Sequence, residues 1–283
     1  MQLPIFVINL ARHPQRYAFM EAQLLALGLT PERLEAANGA DPKVRAAAAV
    51  ASYAPLSDGE VGCFESHRAI WRQVVDRDLP GAFVLEDDVA VASDFGDLAF
   101  DAALMESCDL IKLDLWHGTR TWYGTATRPA PGNRHLQRLL GSEYSSGGYF
   151  VTRGGAARLL RASKGYLIPV DRFMFDQQSK TFWEMEVWKL APAAVAQLRF
   201  LEPEIEPLAV PNHQLVPFWD SLRIKLRRLV DFDTRSIRIA RIQENMTAFR
   251  AVQPVAQMET PFDSPNWDHI DRARALLLQD EAA

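Results

Sequence analysis

With 283 residues, 48% of them hydrophobic, the chain can bury a sizeable core as one large domain or two small ones. A net charge of −5 and a pI near 5.7 weigh against a general nucleic-acid binder, whose footprint is basic. The two cysteines, Cys63 and Cys108, lie too far apart for a disulfide framework or a zinc spacing, and read as reduced, mostly buried thiols.

The chain opens on a strand pattern, Ile5-Phe6-Val7-Ile8-Asn9-Leu10, apolar enough to be covered on both faces. Pro14 suits the first turn of a helix, Tyr17, Met20, Leu24 and Leu27 recur at helical spacing, and Gly28 stops it. Residues 39 to 55, Ala-rich and flanked by Pro, predict a flexible connection with some helix. Ser57 and Glu60 fit a capping box, and the helix after them buries Cys63, Phe64, His67, Ile70, Trp71 and Val74 on one side. A strand follows the Pro80-Gly81 turn and ends in Glu86-Asp87-Asp88. Residues 109 to 115 predict another strand, and residues 117 to 141, rich in Gly, Pro, Thr and Arg, a long loop. Residues 147 to 152 read as a strand, 155 to 163 as a helix, and 195 to 201 as a last short strand. From 221 to 250 eight basic residues stand against three acidic ones on amphipathic helical patterns. Strands alternating with helices predict an α/β fold with a mainly parallel sheet. The expected domains are 1–218 and a basic helical extension, 219–283. No leader pattern and no long apolar run occurs, so a cytoplasmic chain is expected.

The acid run carries the chemistry. Three adjacent carboxylates at a strand end repel one another unless solvent or a hard cation neutralises them, and Mg²⁺ and Mn²⁺ favour such oxygen ligands together with substrate phosphates. In open α/β sheets this end of a strand faces the ligand crevice. The run therefore reads either as a seat for a metal-bound diphosphate or as a solvated acidic turn. Asn9, Arg12 and Arg16 surround the carboxyl end of the first strand, where the two arginines could bind phosphate or simply carry surface charge. Glu60 is explained by capping alone.

Four segments in order resemble glycosyltransferase family 25: residues 6–12 with Arg16; residues 59–63 with Ser66, His67 and Trp71; Val84-Leu85-Glu86-Asp87-Asp88; and residues 148–160 followed by Pro169-Val170-Asp171. Glu65 departs from the pattern, where a smaller or apolar residue is expected, and the match fades after Asp176. The resemblance implies a GT-A type nucleotide-sugar-binding fold, a UDP-sugar donor, a divalent metal (Mn²⁺ or Mg²⁺) and inversion at the anomeric carbon. It implies Asp87 and Asp88 as metal ligands, with His213 a candidate third ligand or an ordinary surface histidine. Glu86 could face the ribose, Glu60 could touch the donor, and Tyr149 could stack on the sugar or simply enter a buried strand. Inversion needs a base apart from the metal, either Asp171, otherwise a helix-capping carboxylate, or Asp114.

The expected activity is transfer of a hexose, galactose first, to a lipopolysaccharide or other surface-glycan acceptor. The alternatives are a degenerate member that binds glycans or partners without catalysis, and a metal-dependent sugar nucleotidyltransferase or hydrolase. The basic helices could bring the chain to anionic membrane around a lipid-linked acceptor, or could be a solvated face.

Overall fold

The computed structural model of the chain describes residues 2–52, 54–99, 108–115 and 120–201, together with Met246, 255–258, Ile270 and Ala273. The elements begin with β1 (Ile5–Asn9), α1 (Pro14–Ala26), β2 (Glu32–Glu35), α2 (Pro42–Ala47), α3 (Asp58–Asp76), β3 (Gly81–Glu86), β4 (Val89–Val91) and α4 (Phe95–Ala99). They continue through β5 (Leu110–Lys112), β6 (Thr121–Ala130), β7 (Arg134–Leu139), β8 (Gly148–Thr152), α5 (Arg153–Ala162), α6 (Val170–Phe175) and α7 (Lys180–Trp183). The last are β9 (Val187–Ala191), β10 (Val195–Gln197), α8 (Leu198–Leu201) and β11 (Val255–Met258).

One nine-stranded sheet runs in the order β11-β6-β7-β9-β5-β8-β3-β1-β2, and β4 pairs with β10 in a second, small sheet. Around β1 the pairing is parallel, as it is between β5 and β9. Strand β8 runs antiparallel between β3 and β5, and β7, β6 and β11 close the far edge antiparallel. The expected mainly parallel sheet is therefore a mixed one. Both faces are covered, as the opening apolar run requires. Ile5, Val7, Phe83 and Leu85 pack with Phe19, Met20 and Leu24 of α1. Phe6, Ile8, Val84 and Val151 pack on the other face with Phe64, Ile70 and Trp71 of α3.

Local signals place the helices. α1 has its proline in the first turn, and α3 carries both halves of the Ser57–Glu60 capping box. Gly39 and Gly62 let α3 lie against the segment after β2. A Cβ on Gly39 would stand 1.9 Å from the Asp58 carbonyl oxygen, and one on Gly62 2.4 Å from that of Ala37. Glu65, the departure from the family pattern, has a structural use here: its Oε1 accepts from the Ala49 amide at 2.9 Å and ties the connection after α2 to α3.

Within the predicted loop over 117–141, residues 121–139 form instead the β6–β7 hairpin. Its Thr, Trp and Tyr residues favour strands, but Gly124 and Pro129 hide the pattern. The hairpin accommodates Gly124 where its register shifts between Tyr123 and Thr127, and Gly132, at φ +70°, makes the turn. β2 escapes a hydrophobicity reading because Glu-Arg-Leu-Glu is an edge strand with Leu34 alone buried. Residues 195 to 201 split into β10 and a short helix. β11 adds a strand to the main sheet beside β6. His213, the 218/219 boundary and, apart from Met246, the basic stretch 221–250 lie outside the described residues. Among the described residues no helix is long and apolar enough to cross a membrane.

A candidate donor site at the carboxyl end of β3

The residues that bear chemistry collect at one edge of the sheet, where β1, β3 and β5 end and β8 begins. Glu86 ends β3, Asp87 and Asp88 make the turn, and Val89 opens β4. Both sides of this turn are held. β3 is hydrogen-bonded between β1 and β8. β4 pairs with β10 on one side, and on the other the buried Gln23 acts as a strand neighbour. Its Nε2 donates to the Val89 carbonyl at 2.9 Å and its Oε1 accepts from the Val91 amide at 3.0 Å.

Asp87 turns toward β1. Its Oδ2 accepts from Asn9 Nδ2 at 2.7 Å, and its Oδ1 pairs with Arg16 Nη1 at 3.3 Å. Asn9 is itself fully engaged, donating also to the His13 carbonyl at 2.8 Å and accepting from Arg33 Nη2 at 2.6 Å. It is buried and orients Asp87 from beneath, with no polar atom left over for a ligand. Arg12 is exposed and, among the described residues, reaches His13 at 3.2 Å. Burial and the two neighbouring arginines hold His13 below its ordinary pKa.

Asp88 differs from both neighbours. Its backbone oxygen accepts from the Leu198 amide at 2.9 Å. Its Oδ1, however, is buried without a hydrogen-bond partner among the described residues. Burial, then the charges of Glu86 and Asp87, push this carboxyl up to about 7, against the opposing pull of Arg16 and Arg199. Asp87 is also raised, by burial first. Neither side chain stands in bulk solvent: Asp87 is 13% exposed, and Asp88 is part-buried.

Glu86 faces the other way, toward α3 and the segment before β8. Its Oε1 accepts from Ser146 Oγ at 2.6 Å and lies 3.4 Å from His67 Nε2. Burial raises the Glu86 carboxyl, but His67, Ser146 and Lys112 outweigh it, so this acid titrates below its ordinary range. Ser145, at φ +77°, occupies a left-handed conformation that costs a non-glycine residue about 1 kcal/mol. Its amide donates to Asp171 Oδ2 at 3.2 Å, its carbonyl accepts from Lys112 Nζ at 2.7 Å, and its Oγ accepts from the Gly147 amide at 3.1 Å. Consecutive serines thus hold Glu86 and Asp171 on adjacent bonds. Asp171 is the second residue of α6, part-buried, and its Oδ1 accepts from the Arg172 amide at 2.7 Å.

Three expected residues stand elsewhere in this arrangement. Tyr149 is fully buried, its hydroxyl between Trp71 Nε1 and His67 Nδ1 at 2.9 Å each, so no ring face is open to a sugar. The glycine beside it makes room for protein: a Cβ on Gly148 would meet Val195 at 2.7 Å. Asp114 is also fully buried, with Lys112 Nζ on its Oδ1 at 2.6 Å, and cannot meet an acceptor hydroxyl directly. Glu60 spends its Oε2 on the Ser57 amide and hydroxyl at 2.7 and 2.8 Å, as a cap. Sequence reasoning missed Gln23, Arg33, Ser145, Ser146 and Arg199. Gln23 alone left a signal, as a polar residue in the buried row of α1 beside Phe19, Met20 and Leu24.

The donor set suits a hard cation. It offers carboxylate oxygens on Asp87 and Asp88, and one of them is buried without a bond among the described residues. A second group of ligand-type atoms, from Cys63, His67 and Glu86, lies within 4.8 Å. Burial, then Glu86 and Asp171, keep the Cys63 thiol well above its ordinary pKa, so it retains its proton.

Residues 2–174 match the family model described as glycosyltransferase family 25 (LPS biosynthesis protein). A Drosophila melanogaster "Glycosyltransferase 25 family member" is 29% identical over 194 residues, 63% of this chain and 32% of that protein. The human "Procollagen galactosyltransferase 2" is 29% identical over 187 residues, 60% of this chain and 29% of that protein. The human "Inactive glycosyltransferase 25 family member 3" is 32% identical over 206 residues, 65% of this chain and 33% of that protein. The matches span about a third of the length of these relatives. With the family model matched over more than half its length, this chain belongs to glycosyltransferase family 25.

Proposed function

We propose that the chain is an inverting, metal-dependent hexosyltransferase that moves galactose from a UDP-sugar to a lipopolysaccharide or other surface-glycan acceptor. The observation that carries this reading is the Asp88 carboxylate: part-buried, raised in pKa by burial and then by its acidic neighbours, and with an oxygen that no donor among the described residues satisfies. Asp88 and Asp87 would hold Mn²⁺ or Mg²⁺, with His213 a candidate third ligand from outside the described residues. Such an ion supplies Lewis acidity to a departing diphosphate.

The chain's own residues divide the remaining work. Arg16, already on Asp87, and the exposed Arg12 supply positive charge for the phosphates. Asn9 and Arg33 fix Asp87 from below. Glu86 has Oε1 held by Ser146 and keeps Oε2 for a donor hydroxyl. Asp171 is oriented by two backbone amides and takes the proton of the acceptor hydroxyl, while that oxygen bonds to the anomeric carbon and UDP leaves from the opposite face. Galactose is favoured because a relative is named a procollagen galactosyltransferase. A non-catalytic reading draws on the relative named inactive.

A panel of nucleotide sugars incubated with Mn²⁺ and followed by mass spectrometry tests the proposal. UDP release from UDP-galactose supports it. Release of UMP would point to nucleotidyl chemistry, and no turnover of any donor to the non-catalytic reading. Asp171→Asn should bind UDP normally and lose transfer; full turnover in that variant removes it as the base.

A further inference from the structure

We infer that Trp71, Tyr149 and His67 form a one-way hydrogen-bond chain that aims an imidazole N–H at Glu86, and that His67 is a positioning residue for the proposed donor site. The direction follows from counting protons. An indole nitrogen only donates, so Trp71 Nε1, 2.9 Å from the Tyr149 hydroxyl, places its hydrogen on that oxygen. The hydroxyl has one proton of its own and one other neighbour, His67 Nδ1 at 2.9 Å. All three side chains are fully buried, so no water competes. The tyrosine proton therefore goes to Nδ1, which leaves the imidazole hydrogen on Nε2.

That nitrogen has no hydrogen-bond partner among the described residues, and it lies 3.4 Å from Glu86 Oε1. This is longer than a settled hydrogen bond and is of the kind that tightens when a ligand closes a site. Ser146 approaches the same oxygen at 2.6 Å. Ser146 binds Oε1 and His67 Nε2 approaches the same oxygen, so both groups leave Oε2 to the ligand.

The same count decides against a soft-metal seat at Cys63, His67 and Glu86, although their ligand atoms cluster within 4.8 Å. A metal on Nε2 would need the hydrogen on Nδ1. Tyr149 would then face two donors and bury its own proton without an acceptor.

The role of Glu86 rests on the nucleotide-sugar reading, whereas the tautomer does not. Nitrogen-15 NMR of the imidazoles in metal-free, ligand-free protein, with His67 assigned by its absence in a variant, should show Nε2 protonated and Nδ1 bare. Protonation on Nδ1 overturns the chain. A pair of variants tests positioning, because a glutamine amide nitrogen reaches the place of Nε2 and an asparagine only that of Nδ1. With UDP and Mn²⁺ as the probe, His67→Asn should weaken binding about tenfold, the scale of one lost bond to a charged group. His67→Gln should restore most of it, with the acceptor KM unmoved in both. Equal losses in two folded variants would overturn the positioning role. A wild type that binds no UDP would refute the functional reading and leave the NMR result to decide the chain. A thiolate charge-transfer band on adding Co²⁺ to wild type would establish the metal seat instead.

Discussion

The turn after β3 and the floor beneath β5 and β9 both bury carboxylates, and each leaves one oxygen without a hydrogen-bond partner among the described residues, on Asp88 and on Asp114, but only the floor sets a buried lysine against each acid. Lys112 and Lys189 are register partners on parallel strands and both fully buried. Between them they hold Asp114 and Glu143: Lys112 Nζ lies 2.6 Å from Asp114, and Lys189 Nζ 2.7 Å from Glu143. Tyr123 adds a hydrogen bond to Glu143, Lys189 also donates to the Asp114 carbonyl, and Lys112 sits 4.6 Å over the Phe175 ring. At the turn, Arg16 pairs with Asp87 and His67 Nε2 lies 3.4 Å from Glu86, and no lysine among the described residues pairs with any of the three acids. A charge that is matched from within is architecture. A charge left short of partners at a strand end is available to a ligand.

If this contrast is right, removing a charge should move stability in opposite directions in the two regions. The largest effect is expected from Lys189→Met, which leaves Glu143 and Asp114 short of a buried cation. It should cost about 3–5 kcal/mol in urea unfolding, and a loss below 1 kcal/mol would mean that the floor is not balanced by that lysine. Gln23→Leu comes next. It strips partners from the Val89 carbonyl and Val91 amide, costing about 1–3 kcal/mol, and it should also blunt any metal-dependent stabilisation by UDP, because β4 frames the turn.

Asp88→Asn should do the reverse of Lys189→Met. Without metal it should stabilise the protein by about 1 kcal/mol, the water-screened value for neighbouring charges, while abolishing the extra thermal shift that UDP shows with Mn²⁺. Its pH signature has a definite sign. The carboxyl titrates at 3.8 in the unfolded chain and about 7 in the fold. Between those values the folded state binds more protons, so stability in EDTA falls as pH rises across that window. The asparagine variant should lack this slope, and an unchanged slope would assign it to another group. The smallest effect belongs to Arg12→Ala, which among the described residues touches His13. Its stability should stay within about 0.5 kcal/mol, while UDP affinity drops in a salt-dependent way. Unchanged affinity would remove Arg12 from the phosphate site.

Legibility in the sequence followed the range of the interactions. The turn Glu86-Asp87-Asp88, the helix caps and the two-faced β1 run are written in neighbouring residues, and each stands where the pattern put it. The hairpin over residues 121–139 was hidden because strand pairing, not local composition, decides whether a Gly- and Pro-bearing segment is extended. Tyr149 and Asp114 belong to motifs or strand ends that suggested ligand contact, but packing turned both inward. Ser145 and Ser146 carried no local mark at all: their importance comes from standing between Glu86, Asp171 and Lys112, which are remote from one another along the chain.

By itself, then, the sequence determined which residues could bear charge and bind a cation, because carboxylates at a strand end are a local, chemical fact. Only the tertiary structure decided which of those charges would be neutralised. That depends on whether a lysine, an arginine or a histidine from a distant strand or helix arrives within about 3 Å in the low-dielectric interior, and Lys112 and Lys189 reach Asp114 and Glu143 where no lysine among the described residues reaches Asp88.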